Sequence, residues 1–122
     1  MKVIIDTNAF VYAAENKIDI FALLKGDDII IPNLVLEELR VLAKHTIKAS
    51  DRKAASLALK IIENHSFNTI ELSGSTDKAI GEFAKKEGAA VLTNDLELKK
   101  GLAKGNVRVL HIRQKKYIEH WA

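Results

Sequence analysis

The sequence predicts an α/β domain of three layers (α/β/α), with helices covering both faces of a mostly parallel central sheet. Three observations lead there. Short unbroken apolar runs, Val3-Ile4-Ile5, Ile29-Ile30-Ile31 and Ala89-Ala90-Val91-Leu92, suit strands that are covered on both faces. Stretches of helical periodicity lie between them, and alternation of strand and helix is the mark of a parallel sheet. At 122 residues, 48% hydrophobic and 29% charged, the chain can bury one core, and it shows no repeats or linkers, so one domain over 1–122 is expected.

Taken in order, Val3-Ile4-Ile5 is the first strand, and Asp6-Thr7-Asn8 supplies capping side chains for a helix over Ala9 to Ala14. An apolar stretch from Ile18 to Leu24 stops at the turn signal Lys25-Gly26-Asp27-Asp28. Ile29-Ile30-Ile31 forms the second strand and ends at Pro32, the only proline. Pro32-Asn33 opens a helix that runs to Ala43, and a further helix covers about Asp51 to Asn64. Residues 67–72 alternate as a strand does, and Ser73-Gly74-Ser75-Thr76 leads into a helix from about Asp77 to Glu87, ended by Gly88. The strand at 89–92 is followed by Thr93-Asn94-Asp95, a short helix at about Leu96–Ala103 and a last strand, Val107-Arg108-Val109-Leu110. The tail from Arg113 to His120 reads as a helical turn or two.

Composition narrows the chemistry. With no cysteine, disulfides, thiolate metal sites and cysteine nucleophiles are excluded, and a reducing, cytoplasmic setting is expected. No apolar run approaches the roughly 20 residues of a membrane span, and the N-terminus has no secretory pattern. The net charge of +3 is weak, but its distribution is not even. Residues 40–60 carry six bases against one acid, residues 99–122 carry seven against one, and the remainder carries 6 bases against 14 acids. Two basic blocks beside an acidic remainder suit either a polyanion track next to a carboxylate site or two solvated helix faces.

Both Ile4-Ile5-Asp6-Thr7-Asn8 and Val91-Leu92-Thr93-Asn94-Asp95 deliver an aspartate, with small polar companions, to the carboxyl end of a buried strand. Capping explains one such end; two of them point towards a site, because ligands of open α/β sheets bind beyond the carboxyl edge. On the helix after Pro32, Val35, Leu39 and Leu42 define the buried stripe. Glu37 falls opposite that stripe, whereas Glu38 lies at its flank, where an unpaired carboxylate is costly and an ion pair is the ordinary remedy. Asp77 shares the face of Ile80 and Ala84, although an acid in the first turn of a helix is also favoured by the dipole. Four carboxylates directed at one edge repel one another, and a hard divalent cation relieves that repulsion. Mg²⁺ or Mn²⁺ held this way supports phosphodiester cleavage.

The sequence resembles the PIN-domain ribonucleases over essentially its whole length. The resemblance rests on Val3-Ile4-Ile5-Asp6-Thr7-Asn8, Pro32-Asn33-Leu34-Val35-Leu36-Glu37-Glu38-Leu39, the helix start Asp77-Lys78-Ala79-Ile80 and Val91-Leu92-Thr93-Asn94-Asp95, in that order and spacing. It implies that Asp6, Glu38, Asp77 and Asp95 are the acidic metal-binding quartet and that Thr7, Asn8, Thr93 and Asn94 support it. Glu97 is an additional acid nearby and a candidate fifth ligand, left open by the resemblance. The tail Leu110-His111-Ile112-Arg113-Gln114-Lys115-Lys116-Tyr117 is similar to a PIN subgroup that includes VapC-like toxins and relatives of the nuclease of small-subunit rRNA processing. The resemblance implies Mg²⁺- or Mn²⁺-dependent cleavage of single-stranded RNA, frequent homodimers and, for a toxin, an antitoxin protein as partner.

Arg40, Lys44, Arg113, Lys115 and Lys116 are the candidate RNA-backbone contacts from the two basic blocks. Tyr12, Tyr117 and Trp121 are able to stack on bases, while the four histidines show no metal-ligand spacing. Two rival functions share part of this pattern. A haloacid-dehalogenase-like phosphatase wants a second aspartate two positions after the first, where this chain has Asn8. A non-catalytic RNA-binding or assembly module would keep the acids for folding or metal alone.

Overall fold

A computed structural model describes all of residues 1–122. Its strands and helices in chain order are β1 (Lys2–Ile5), α1 (Thr7–Glu15), α2 (Ile20–Leu23), β2 (Asp28–Pro32), α3 (Asn33–His45), α4 (Ala49–Glu63), β3 (Asn68–Ile70), α5 (Thr76–Glu87), β4 (Ala90–Leu92), α6 (Leu96–Lys104), β5 (Val109–Arg113) and β6 (Tyr117–His120). The six strands form one sheet in the order β3-β2-β1-β4-β5-β6, parallel except for the last pair. β1 and its neighbours are the most apolar strands because both faces are covered: Val3, Ile4, Ile5, Ile31, Val91 and Leu92 are all fully buried.

Strand order reverses beside β1. From it the chain steps outward to β2 and β3, then crosses back to β4 and continues to β5. Right-handed crossovers therefore set α1, α3 and α4, which pack on one another, on one face, and α5 and α6 on the other. The crevice of such a sheet opens at the carboxyl ends of the two strands that flank the reversal, here β1 and β4. These are the strands followed by Asp6 and by Thr93-Asn94-Asp95.

Several boundaries differ from those the periodicity predicts. α1 begins at Thr7, so Thr7 and Asn8 join its first turn. α3 runs on to His45, α4 starts at Ala49, and of residues 67–72 only Asn68–Ile70 pair in the sheet. β5 begins at Val109 and continues to Arg113. The tail is not helical: Tyr117–His120 is an edge strand antiparallel to β5, with Arg113 opposite Tyr117 and Leu110 opposite His120. The three-residue turn between them, 114–116, places Gln114 and Lys115 at φ 55°, in the left-handed region, and the Lys116 N–H closes it on the Arg113 carbonyl at 3.1 Å. Neither residue is a glycine or asparagine, so the usual turn signal is missing. No helix is long and apolar enough to cross a membrane.

Candidate active site

Asp6 directly follows β1 and occupies the position before the first turn of α1, but its side chain does not cap that helix. It is 5% exposed and accepts a hydrogen bond at 2.9 Å from the hydroxyl of Thr93, which is fully buried. The same Thr93 oxygen accepts the backbone N–H of Asp95 at 3.1 Å. One hydroxyl thus ties the carboxylate after β1 to the backbone after β4. Asp95, by contrast, does cap its helix: Oδ1 accepts the N–H of Leu98 at 3.2 Å. Capping, equally plausible from sequence at both strand ends, holds at only one.

Glu38 meets this group from α3, where the hydroxyl of Thr7 donates to its Oε1 at 2.6 Å. Glu38, expected at the flank of the buried stripe, is exposed, as Glu37 is, and its hydrogen bond to Thr7 is what distinguishes it. Asp77 arrives from the other face on the first turn of α5, exposed, with no capping role. Asn8 accepts the N–H of Asn94 at 3.3 Å, and the Asn94 carboxamide pairs with Ile112 through both its atoms, at 3.1 and 2.8 Å. That clasp continues the β4–β5 ladder by one side-chain rung past the end of β4. A matching clasp joins Asn33, at the start of α3, to the backbone of Leu72, at 3.0 and 2.7 Å.

Asp6, Glu38, Asp77 and Asp95 all border one open cleft of about 810 Å³, with Thr7 and Asn8 beside them; Thr93 and Asn94 stand behind it. Glu97 faces instead a separate groove of about 450 Å³ between α5 and α6, at whose end Asp77 also stands. Three further acids, Glu15, Glu37 and Asp51, line the cleft. They come from three helices and no local pattern in the sequence groups them.

The electrostatics follow from this crowding. Burial pushes the Asp6 carboxyl up to about 6 from an ordinary 3.8, and the charges of Asp77 and Glu38 add to the rise, against hydrogen bonds from Thr93 and from the backbone of Thr7. Asp77 is raised as well, first by the partial loss of water around its carboxyl as the cleft walls approach and then by the charges of Asp95 and Glu38. The carboxylates surround the space without drawing any three acidic or imidazole groups to ion-holding distance at one point. A donor set made of oxygen alone, carrying uncompensated like charge and open to water, suits a hard divalent cation that retains part of its hydration shell.

No lysine, arginine or histidine borders the cleft. Arg40 and Lys44 are exposed along α3, and Arg113, Lys115 and Lys116 are exposed around the β5–β6 turn, at the same sheet edge as the carboxylates. Arg113 is engaged by Glu119 at 3.2 and 3.3 Å. Two other members of the basic blocks serve the fold. Arg52 donates to the carbonyls of Thr46 and Ile47 and closes the α3–α4 turn. Lys99 is buried, with its ammonium 3.1 Å from His111 Nδ1 and 5.6 Å from the Trp121 ring centre, so it is withdrawn from any polyanion. His111 in turn reaches Glu119 at 3.1 Å. Linear charge counting cannot detect this, since α6 places Lys99 inward on a helix that is basic as a whole.

Comparison with known proteins agrees with the fold. The family described as PIN like domain matches residues 3–115. Ribonuclease VapC4 of Methanocaldococcus jannaschii is 36% identical over 126 residues, covering 97% of this chain and 95% of that protein. Among solved structures, the PIN domain endonuclease Utp24 superposes with a TM-score of 0.79 at 24% identity over 98% of this chain and 90% of that one. VapBC2 from Rickettsia felis, solved bound to a DNA fragment from its promoter, gives 0.67 at 22% identity over 92% and 99%. With a family match over residues 3–115 and a 36% identical relative aligned over nearly its full length, the chain belongs to the PIN-like domain family.

Proposed function

We propose that this protein is a divalent-metal-dependent endoribonuclease that hydrolyses phosphodiester bonds in single-stranded RNA. The observation that carries the reading is the convergence of Asp6, Glu38, Asp77 and Asp95, from four separate places in the chain, on one open cleft at the carboxyl edge of β1 and β4. The named activity of the 36% identical relative, a ribonuclease, supports it. Asp6 and Asp95 are the main cation ligands, and Glu38 and Asp77 complete the site directly or through water. Mg²⁺ or Mn²⁺ bound there supplies an activated water and offsets the charge that builds on the phosphate in the transition state. Thr93 fixes Asp6 against Asp95, Thr7 holds Glu38, and Asn8 with Asn94 locks the loop after β4. Arg40, Lys44, Lys115 and Lys116, with Arg113 where Glu119 releases it, hold the RNA backbone outside the cleft.

The relatives named VapC favour the toxin of a toxin–antitoxin pair, acting in the cytoplasm with a protein antitoxin as partner. Ribosomal RNA processing is the second reading, favoured by the tail motif and by the likeness of fold to Utp24. Cleavage of end-labelled single-stranded RNA in Mg²⁺ or Mn²⁺, with wild type and Asp6→Asn side by side, tests the chemistry. Wild type is expected to cut, EDTA to abolish cutting, and the variant to lose about a hundredfold or more. Equal cutting by both proteins sinks the assignment. Growth arrest on expression, relieved by a neighbouring antitoxin gene, separates toxin from processing factor.

A further inference from the structure

The cleft is longer than the carboxylate cluster needs. Beyond Asp6 and Glu38 it continues between α1 and α3, where its wall is apolar: Val11 and Tyr12 come from α1, and Val41 and Leu42 from α3. Val41 is 57% exposed, an unusual state for a valine beside an apolar wall, and Tyr12 is only partly buried. The Tyr12 carbonyl takes the Asn16 amide at 2.9 Å, while no hydrogen bond engages its hydroxyl. Apart from that one hydroxyl, such a wall offers little to a cation or a phosphate. It does offer an aromatic face and an aliphatic one to a flat apolar ligand.

Position identifies that ligand. Tyr12 lies five residues past Thr7 on α1, about 7.5 Å along the axis, and Val41 lies three past Glu38 on α3, about 4.5 Å. The wall therefore starts about one helical turn from the carboxylates and is continuous with them, of the order of a single nucleotide step. We propose that it seats the nucleobase next to the scissile phosphate, stacked on Tyr12 and backed by Val41, with guanine preferred. The inference rests on the nuclease reading above.

The preference for guanine comes from the rim. The charged groups around the wall are Glu15, Glu37 and Asp51, from three helices, and carboxylates only accept hydrogen bonds. Guanine presents two adjacent donors, N1–H and the N2 amino group, which match the two oxygens of one carboxylate. Uracil presents a single donor between two carbonyls, which the same rim repels.

The test uses the intact chain and a single-stranded RNA whose cut site has been mapped. The nucleotides flanking the cut are replaced one at a time by guanine, uracil or an abasic unit, and kcat/KM is measured for wild type, Tyr12→Phe and Tyr12→Leu. Stacking on one aromatic ring predicts that wild type prefers guanine to the abasic unit about tenfold at one flanking position. Tyr12→Phe keeps that preference. Tyr12→Leu, which keeps apolar bulk but no ring, loses it and cuts the abasic RNA as fast as wild type does. Equal slowing of guanine and abasic RNA by Tyr12→Leu, or no slowing of either, overturns the proposal. Fluorescence anisotropy of the same labelled RNAs in Ca²⁺ measures the base preference independently of cutting. If no RNA is cut at all, the nuclease reading fails, while the Tyr12-dependent difference in binding between guanine and abasic RNA still decides the base seat.

Discussion

Burial gives Asp6 a carboxyl group at odds with the stability of its own fold. It titrates at about 6 in the folded chain against 3.8 for an ordinary aspartate, so between those values the folded state holds a proton that the unfolded state has lost. The stabilisation is complete below about pH 3.8 and disappears as pH rises through 6, a difference of about 3 kcal/mol. Near neutrality the cation-free protein therefore carries a destabilising charge. Asp6→Asn keeps an acceptor for the Thr93 hydroxyl and removes that charge. Its Tm in EDTA at pH 7.5 should exceed that of wild type by about 5 °C or more, and the difference should shrink towards pH 4. Scanning calorimetry at both pH values checks this, and a lower Tm for the variant at pH 7.5 would contradict it. The sequence marks Asp6 as an acid after a buried strand. What it does not contain is the choice between capping and a site, because the partner that decides it, Thr93, is 87 residues away.

At the level of elements, the two asparagine clasps do what longer strands would otherwise do. Asn33 takes both polar groups of the Leu72 backbone and so fixes the loop after β3 against the start of α3, a few residues before α5 begins and carries Asp77 in its first turn. Asn33→Ala leaves that N–H and C=O without their partners, and unfolding in urea should show a loss of about 1–3 kcal/mol. Because the clasp also places Asp77 relative to Glu38, the Mg²⁺ concentration for half-maximal cleavage should rise several-fold, with kcat recovered at saturating metal. A loss of stability with an unchanged metal requirement would show that Asp77 is placed without the clasp. Elements with strong periodicity, such as α3 and α5, are legible from spacing alone. β6 is not: strand or helix for 113–120 depends on a hairpin turn built from Gln114 and Lys115, residues with no particular taste for positive φ.

Across the whole molecule, charge is sorted by the fold more sharply than along the chain. The cleft collects seven carboxylates and no base, while the basic side chains remain outside it or, like Lys99, are sealed inside. On the proposed reading a cation competes with protons for this cleft, and Asp6 sets the range of that competition. Cleavage at a fixed, subsaturating Mg²⁺ concentration should fall about tenfold per unit as pH drops below about 6, and more Mg²⁺ should restore it. A rate indifferent to pH between 5 and 6 would mean that Asp6 is not ionised by the bound ion. Sequence alone determines the α/β class, the parallel sheet and the aspartates at the ends of β1 and β4, because burial on two faces and helical period are local properties. The tertiary structure alone decides which acids share a cleft, that Glu15, Glu37 and Asp51 join them, that Glu97 does not, and that Lys99 is unavailable to RNA. These facts depend on distances between segments far apart in the chain, and such distances exist only once the sheet has brought its strand ends to a common edge.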